Sequence, residues 1–196
     1  MSRRLLAVRV TRNVVGMCNV TGVTELNSVM YVISSGSCVI RTYNADTFSP
    51  LGRIIHVEGM TDPCDIVACR HGRQLYVTDL DLANSVDCVW QVSTDNCDQY
   101  ERWLVFESRD DNIEDRKLSV TSEHLLVTSH PRSLYQYNTT NKRLLRTVRL
   151  PEYVEELWHG TETLRGTFVV AYSGTAKKLK LCAVCKERSR HSFVYS

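Results

Sequence analysis

Cys182-Ala-Val-Cys185 is the stretch of this 196-residue sequence whose residue types and spacing come nearest to chemistry. A Cys-x-x-Cys pair supplies half of a tetrahedral zinc site or a dithiol redox pair. A structural zinc site needs four ligands, and the sequence has no second pair of this spacing. Cys64 and Cys69, with Asp65 and His71 nearby, make an irregular set. On a strand, residues three apart point to opposite faces, so Cys182 and Cys185 could not hold one ion without a bend. The two remain weak candidate metal ligands, and no cofactor is expected. His124, His130 and His159, with Ser122, Ser129 or Asp115, supply the parts of a catalytic triad. No GxSxG elbow or comparable local signature accompanies them. The expectation is therefore a protein that is not an enzyme.

The second candidate is electrostatic. The segment Lys177 to Arg190, KKLKLCAVCKERSR, is rich in bases. If Lys177, Lys178, Lys180, Arg188 and Arg190 converge on one face, with Arg132, Lys142, Arg143, Arg146 and Arg149 beside them, they form an RNA-binding footprint. Against this, the net charge is only +2 and aromatics do not interleave with the bases. The plainer reading is a solvated basic rim.

Other classes are bounded by composition. Hydrophobic residues make up 43% of the chain, which supports a packed core rather than global disorder. No run approaches the roughly 18 apolar residues of a membrane span. Arg9 and Arg12 interrupt the apolar N-terminal stretch, which therefore does not read as a secretory leader. The expected compartment is cytoplasmic, where the eight cysteines would be reduced thiols. In SCVIRTY and DCVWQV a cysteine sits among apolar neighbours and acts as a small buried hydrophobe.

The elements that must position these residues are short strands. LYVTD, CVWQVS, WLVFES, LLVTS, LYQYN and FVVAY are runs rich in Val, Leu, Tyr and Trp, separated by polar or Gly-containing turns. PEYVEELWHG has some helical spacing at Val154, Leu157 and Trp158, but its place in the pattern favours a strand. Four units repeat the same order of strands. Their central-strand landmarks, Tyr31, Tyr76, Leu126 and Phe168, are separated by 45, 50 and 42 residues. A period of about 40–50 residues with four strands is the signature of a β-propeller blade. One blade cannot bury both of its faces; stacked blades can, which is why LYVTD and FVVAY are more uniformly apolar than RTVRL and GRIIHV.

The fold expected is all-β: one domain, 1–196, of about four blades of four antiparallel strands. The blades fall near 18–57, 61–106, 113–150 and 151–196, and 1–15 supplies the outer strand of an incomplete or closing blade. Either the chain is a partial or divergent larger propeller, or four blades close a ring.

Leu75-Tyr76-Val77-Thr78-Asp79, then Asn84, then Cys88-Val89-Trp90-Gln91-Val92, resembles the NHL-type propeller blade. The loop is three residues longer than the family pattern, and Ser34 and Ser129 stand where Asp79 stands, so the motif is clear in one unit. The resemblance implies that Asp79 accepts backbone hydrogen bonds in the loop after the central strand. Resembling domains often follow a RING finger, B-box and coiled coil, and select targets for ubiquitin ligation or RNA silencing. The resemblance thus implies a non-enzymatic scaffold that recognises a protein partner, as the target-recognition part of a ubiquitin-ligase-type protein. An RNA-binding propeller is the first alternative, and a metalloprotein using Cys182 and Cys185 the second. Some resembling propellers are lyases with metal-bound histidines near the axis, but here no histidine recurs at an equivalent place in successive units.

Overall fold

Two-residue and Asn-initiated turns separate the sixteen strands found among the described residues. The computed structural model describes residues 19–81, 86–107, 116–129, 132–173, 179–184 and 191–193. The first sheet holds β1 (Val20–Leu26), β2 (Val29–Ser34), β3 (Val39–Asn44) and β4 (Pro50–His56). The second holds β5 (Pro63–Cys69), β6 (Gln74–Asp81), β7 (Val86–Ser93) and β8 (Tyr100–Glu107). The third holds β9 (Lys117–Val120), β10 (His124–Ser129), β11 (Ser133–Asn138) and β12 (Leu144–Arg149). The fourth holds β13 (Glu156–Glu162), β14 (Phe168–Ser173), β15 (Leu179–Val184) and β16 (His191–Phe193). Each sheet is an antiparallel meander with its strands in chain order. No helix occurs among the described residues. The expected segment 1–15 and the ends of the basic stretch lie outside the described residues, as do Cys185, Asn84, His130 and Asp115.

Local chemistry sets the turns. Asn27 and Ser28 both take positive φ, at 54° and 62°, which closes the β1–β2 hairpin with the two-residue geometry that matches strand twist. The turns between third and fourth strands repeat a device. Asn44 Oδ1 accepts the backbone N–H groups of Asp46 and Thr47, and Asn138 Oδ1 accepts those of Thr140 and Asn141. The stretch preceding β13 is a turn, and Trp158 lies on a strand at a bulge, so PEYVEELWHG enters a strand as its place in the repeat predicts.

The sheets stack as blades around three apolar seams. Blade 1 meets blade 2 through Tyr31, Ile33, Ile40 and Ile55 against Ile66, Leu75, Val77 and Trp90. Blade 2 meets blade 3 through Tyr76, Val89 and Trp103 against Leu118, Leu125, Val127 and Tyr137. Blade 3 meets blade 4 through Leu126 and Leu134 against Leu157, Phe168, Val170 and Tyr172. One buried cysteine enters each seam: Cys88, Cys69 and Cys182 respectively. The first strands β1, β5, β9 and β13 neighbour one another in chain order, and no substantial packing joins β13 to β1 among the described residues. The four sheets stack in chain order as blades of a β-propeller.

All four landmarks lie in the second strand of their blade, but not on one face. Tyr31, Tyr76 and Leu126 face the blade that follows their own, but Phe168 faces the blade before it. The forward-facing equivalents in β14 are Val169 and Ala171, one face away. In an all-apolar strand such as FVVAYS the two faces look alike in sequence, so the register is carried by the pairing partners rather than by hydrophobicity.

Candidate functional site

Blade 2 carries the most organised polar chemistry, with one cluster at each end of its strands. At one end, Asp79 accepts hydrogen bonds from the backbone N–H groups of Thr61 and Asp62 at 3.0 and 2.7 Å, and from Trp90 Nε1 at 3.1 Å. Asp79 therefore fastens the strand-free link between blades 1 and 2. It sits within β6, as its motif places it, and is almost wholly buried; the backbone donors seen among the described residues come from the link before β5 rather than from the loop after β6. The reason is that the blade 1–2 link passes over the end of β6 and brings its own amide donors. Burial pushes the Asp79 carboxyl above the ordinary carboxylate range, with its three donors pulling the other way. Next to it, burial and the Asp79 charge push the Cys88 thiol up to about 12, so it stays protonated at neutral pH. Arg102 pairs with Asp81 and lies 5.1 Å from the centre of the Trp90 ring. Arg116 pairs with Asp87 and covers the Phe106 ring at 4.1 Å. Arg116 thus ties blade 3 to blade 2, whereas these Arg102 contacts lie within blade 2.

At the opposite end of the strands, blades 2 and 3 part into a cleft of about 390 Å³. Three hairpin turns frame it. The β5–β6 turn brings His71 and Gly72, the β9–β10 turn brings Ser122, and the Asn138-initiated β11–β12 turn brings Thr139, Thr140 and Lys142. Gln74, Gln91 and Glu101 line the blade 2 wall, and Trp103 forms the floor. The floor is fixed by edge-on contacts of Trp103 with Tyr76 at 5.1 Å and Tyr137 at 6.0 Å. Gln91 Nε2 donates to Gln74 Oε1 at 2.7 Å and to Tyr76 Oη at 3.0 Å, which orients both amides. Burial holds the Tyr76 hydroxyl neutral, pushed up to about 12. Lys142 Nζ spans the cleft to Glu101 Oε2 at 2.7 Å. Both partners of that pair are about half exposed, so an incoming group can displace it at a cost of no more than about 1 kcal/mol. A second hollow of about 270 Å³ adjoins, sharing Cys69, His71 and Ser122. Together they make a groove with an apolar floor and a polar rim of amides, hydroxyls and one separable ion pair.

The other residues singled out in the sequence are dispersed. Cys182 is buried on β15, facing blade 3, and burial raises its thiol pKa. Lys180 is exposed on the same strand, whereas Lys177, Lys178, Arg188 and Arg190 lie outside the described residues. His71 is at an exposed hairpin tip, as its Arg-His-Gly context implies. His124 is not a solvated turn residue. It opens β10, and its Nδ1–H donates to Glu162 Oε2 across the blade 3–4 seam at 2.9 Å, beside Gln136 Nε2, which donates to the same oxygen at 2.7 Å. The separation of 38 positions between His124 and Glu162 hides this partner from local reading. His159 Nε2 lies 3.1 Å from the Leu118 carbonyl oxygen of blade 3. His124 and His159 thus each bind a neighbouring blade. Among the described residues no group of three or more His, Cys, Asp or Glu side chains is placed to hold a metal ion. The cleft itself carries no motif. The signal that could have found it is the pair Tyr-Asn-Ala-Asp-Thr and Tyr-Asn-Thr-Thr-Asn, which marks equivalent turns in blades 1 and 3 and so projects Lys142 onto the turn end.

Comparison with known proteins agrees with the fold. The chain is similar to the WD40 repeats of RRP9, with 13% identity over 90% of this chain and 51% of that one, at a TM-score of 0.63. It is similar to a chain of the nidogen/laminin complex, with 16% identity over 84% and 60%, at 0.61. It is also similar to the computationally designed Ika4 protein, with 10% identity over 87% and 93%, at 0.55. At these identities the likeness is one of fold, and the fold is a β-propeller. The chain spans about half to three-fifths of the RRP9 and nidogen/laminin chains. No family model matches the sequence, and no curated protein matches it.

Proposed function

We propose that this chain is a non-enzymatic binding scaffold whose blade 2–3 cleft takes an extended segment of a protein partner. The observation that carries the reading is the cleft: three hairpin turns and one blade edge bring preoriented amides and hydroxyls around an aromatic floor. Polar groups held in fixed positions over a packed floor suit recognition, since the amides need not reorganise to bind and only the Lys142–Glu101 pair has to part. A peptide backbone supplies both the donors and the acceptors that Gln74, Gln91, Ser122 and Thr140 can meet. The NHL-like motif of blade 2 supports kinship with propellers that select targets for ubiquitin ligation in the cytoplasm, and the partner would then be such a target.

The test is capture from a native lysate on the immobilised chain, with and without nuclease, repeated with a Gln91→Ala, Lys142→Glu variant. A protein retained after nuclease and lost from the variant is the expected result. Retention abolished by nuclease and falling steeply with salt would replace this reading with the RNA-binding one.

A further inference from the structure

The hairpin β11–β12 carries charge of one sign. Between Arg132 and Leu150 the sequence holds five bases, Arg132, Lys142, Arg143, Arg146 and Arg149, and no Asp or Glu. Lys142 reaches Glu101, and Arg146 lies over the Phe168 ring. Arg132, Arg143 and Arg149 make no ion pair among the described residues. Arg143 immediately precedes β12, Arg149 ends it, and Arg132 lies beside that end. β12 is also the outer edge of its sheet, with β11 as its one strand neighbour among the described residues. The Leu150 N–H donates inward to the Arg132 carbonyl oxygen at 2.8 Å. Backbone groups alternate along an antiparallel strand, so Val148 and Arg146 also turn inward, and Thr147 and Arg149 turn their N–H and C=O groups outward. Both of these residues are exposed. The other outer strands differ. Gly52 at φ 71° interrupts β4, β8 carries Glu101 and Glu107, and β16 spans only three residues.

We infer that the outer edge of β12 docks an acidic segment of a partner protein, which adds to blade 3 as a fifth, extended strand. An open edge strand takes a peptide by main-chain hydrogen bonds, and side chains decide which peptide it takes. Thr147 and Arg149 offer N–H and C=O groups at the two-residue spacing of a ladder. Arg143, Arg146 and Arg149 recur at every third residue, over about 20 Å of strand. A Glu or Asp at every third residue of an incoming strand meets them in either direction, by charge-assisted hydrogen bonds. A second copy of this edge is repelled, because it brings the same bases. A nucleic acid matches the charge but not the regular ladder of donors and acceptors, whereas an extended acidic chain matches both. The inference goes beyond the cleft, since neither Thr147, Arg143 nor Arg149 lines it.

Fluorescence anisotropy of a labelled peptide, acetyl-Glu-Val-Thr-Glu-Val-Thr-Glu-amide, tests it on the whole chain. The expected result is saturable binding that the same peptide with Lys for Glu does not show. A backbone N-methylated analogue keeps the charges but cannot donate, and is expected to bind about tenfold more weakly. Thr147→Pro removes one outward N–H, a change that an edge strand tolerates. It and the Arg143→Glu, Arg149→Glu variant each weaken the parent peptide about tenfold, with the circular dichroism of the parent chain retained. Absence of saturable binding overturns the inference. So does binding that survives both N-methylation and Thr147→Pro, because charge alone then holds the peptide. A short polyuridylate that binds more tightly through the same arginines overturns it in favour of a nucleic acid.

Discussion

Blades 2 and 4 are built to the same plan and differ in what covers them. In blade 2, Leu75, Tyr76 and Val77 are all sealed, because blade 1 covers one face and blade 3 the other. In blade 4, Phe168 and Val170 are sealed while Leu179 and Leu181 stand in solvent. The same contrast holds for polar groups. Asp79 of blade 2 binds three donors in the interior, whereas Ser173 of blade 4 donates one bond to Glu156. A propeller blade thus derives its stability from its neighbours rather than from its own four strands, and a buried carboxylate can persist only where the neighbour brings amides to it.

The largest effect that can break this contrast is on tryptophan. Trp90→Ala, in the blade 1–2 seam, is expected to cost about 3–5 kcal/mol. Trp158→Ala, half-exposed in blade 4, is expected to stay within about 0.5 kcal/mol. Urea unfolding midpoints compare the two, and equal shifts would mean that the end blade is as well supported as the interior one. A smaller effect follows at the polar positions. Asp79→Ala strands the Trp90 indole N–H and the amides of Thr61 and Asp62 and costs about 1–3 kcal/mol, whereas Ser173→Ala costs no more than about 1 kcal/mol. Hydrogen exchange at Thr61 and Asp62 localises the first loss to the blade 1–2 link.

The smallest effect is on pH dependence and sharpens the electrostatic side. Burial raises the Asp65 carboxyl against hydrogen bonds from the backbone amides of Leu118 and Ile66 and the nearby Lys117 charge. A folded pKa above the unfolded one means that the folded state holds its proton more tightly. The stability this group provides is therefore full below the ordinary carboxylate range and lost as pH climbs through the raised folded value. The stability lost in Asp65→Asn is expected to be smaller at pH 7 than at pH 4, measured by urea unfolding at each. A larger loss at pH 7 would show that the hydrogen bonds to the charged carboxylate outweigh its desolvation.

Much of the architecture was legible in the sequence. Strand chemistry and the period of the units are local signals, and Tyr31, Tyr76 and Leu126 mark the central strands because each is apolar in a run bounded by turns. Phe168 marks its central strand too, but not its face: when both faces of a strand are apolar, periodicity of two disappears and face cannot be assigned. Asp79 was legible as a backbone acceptor, but its donors come from a link 17 residues earlier in the chain. Of the cleft, only the Asn-initiated turn that carries Lys142 had a linear signal. Gln74, Gln91, Glu101 and Lys142 are commonplace polar residues, and only the stacking of blades 2 and 3 brings them to one mouth. The walls that two repeats bring together share no linear spacing to read.

One further consequence lies in the seams. Each holds a single buried cysteine, Cys88, Cys69 or Cys182, so the chain contains three chemical clocks. A thiol reagent added during slow unfolding would stamp each seam at the moment it parts, and mass spectrometry of the labelled peptides would give the order in which the blades let go of one another.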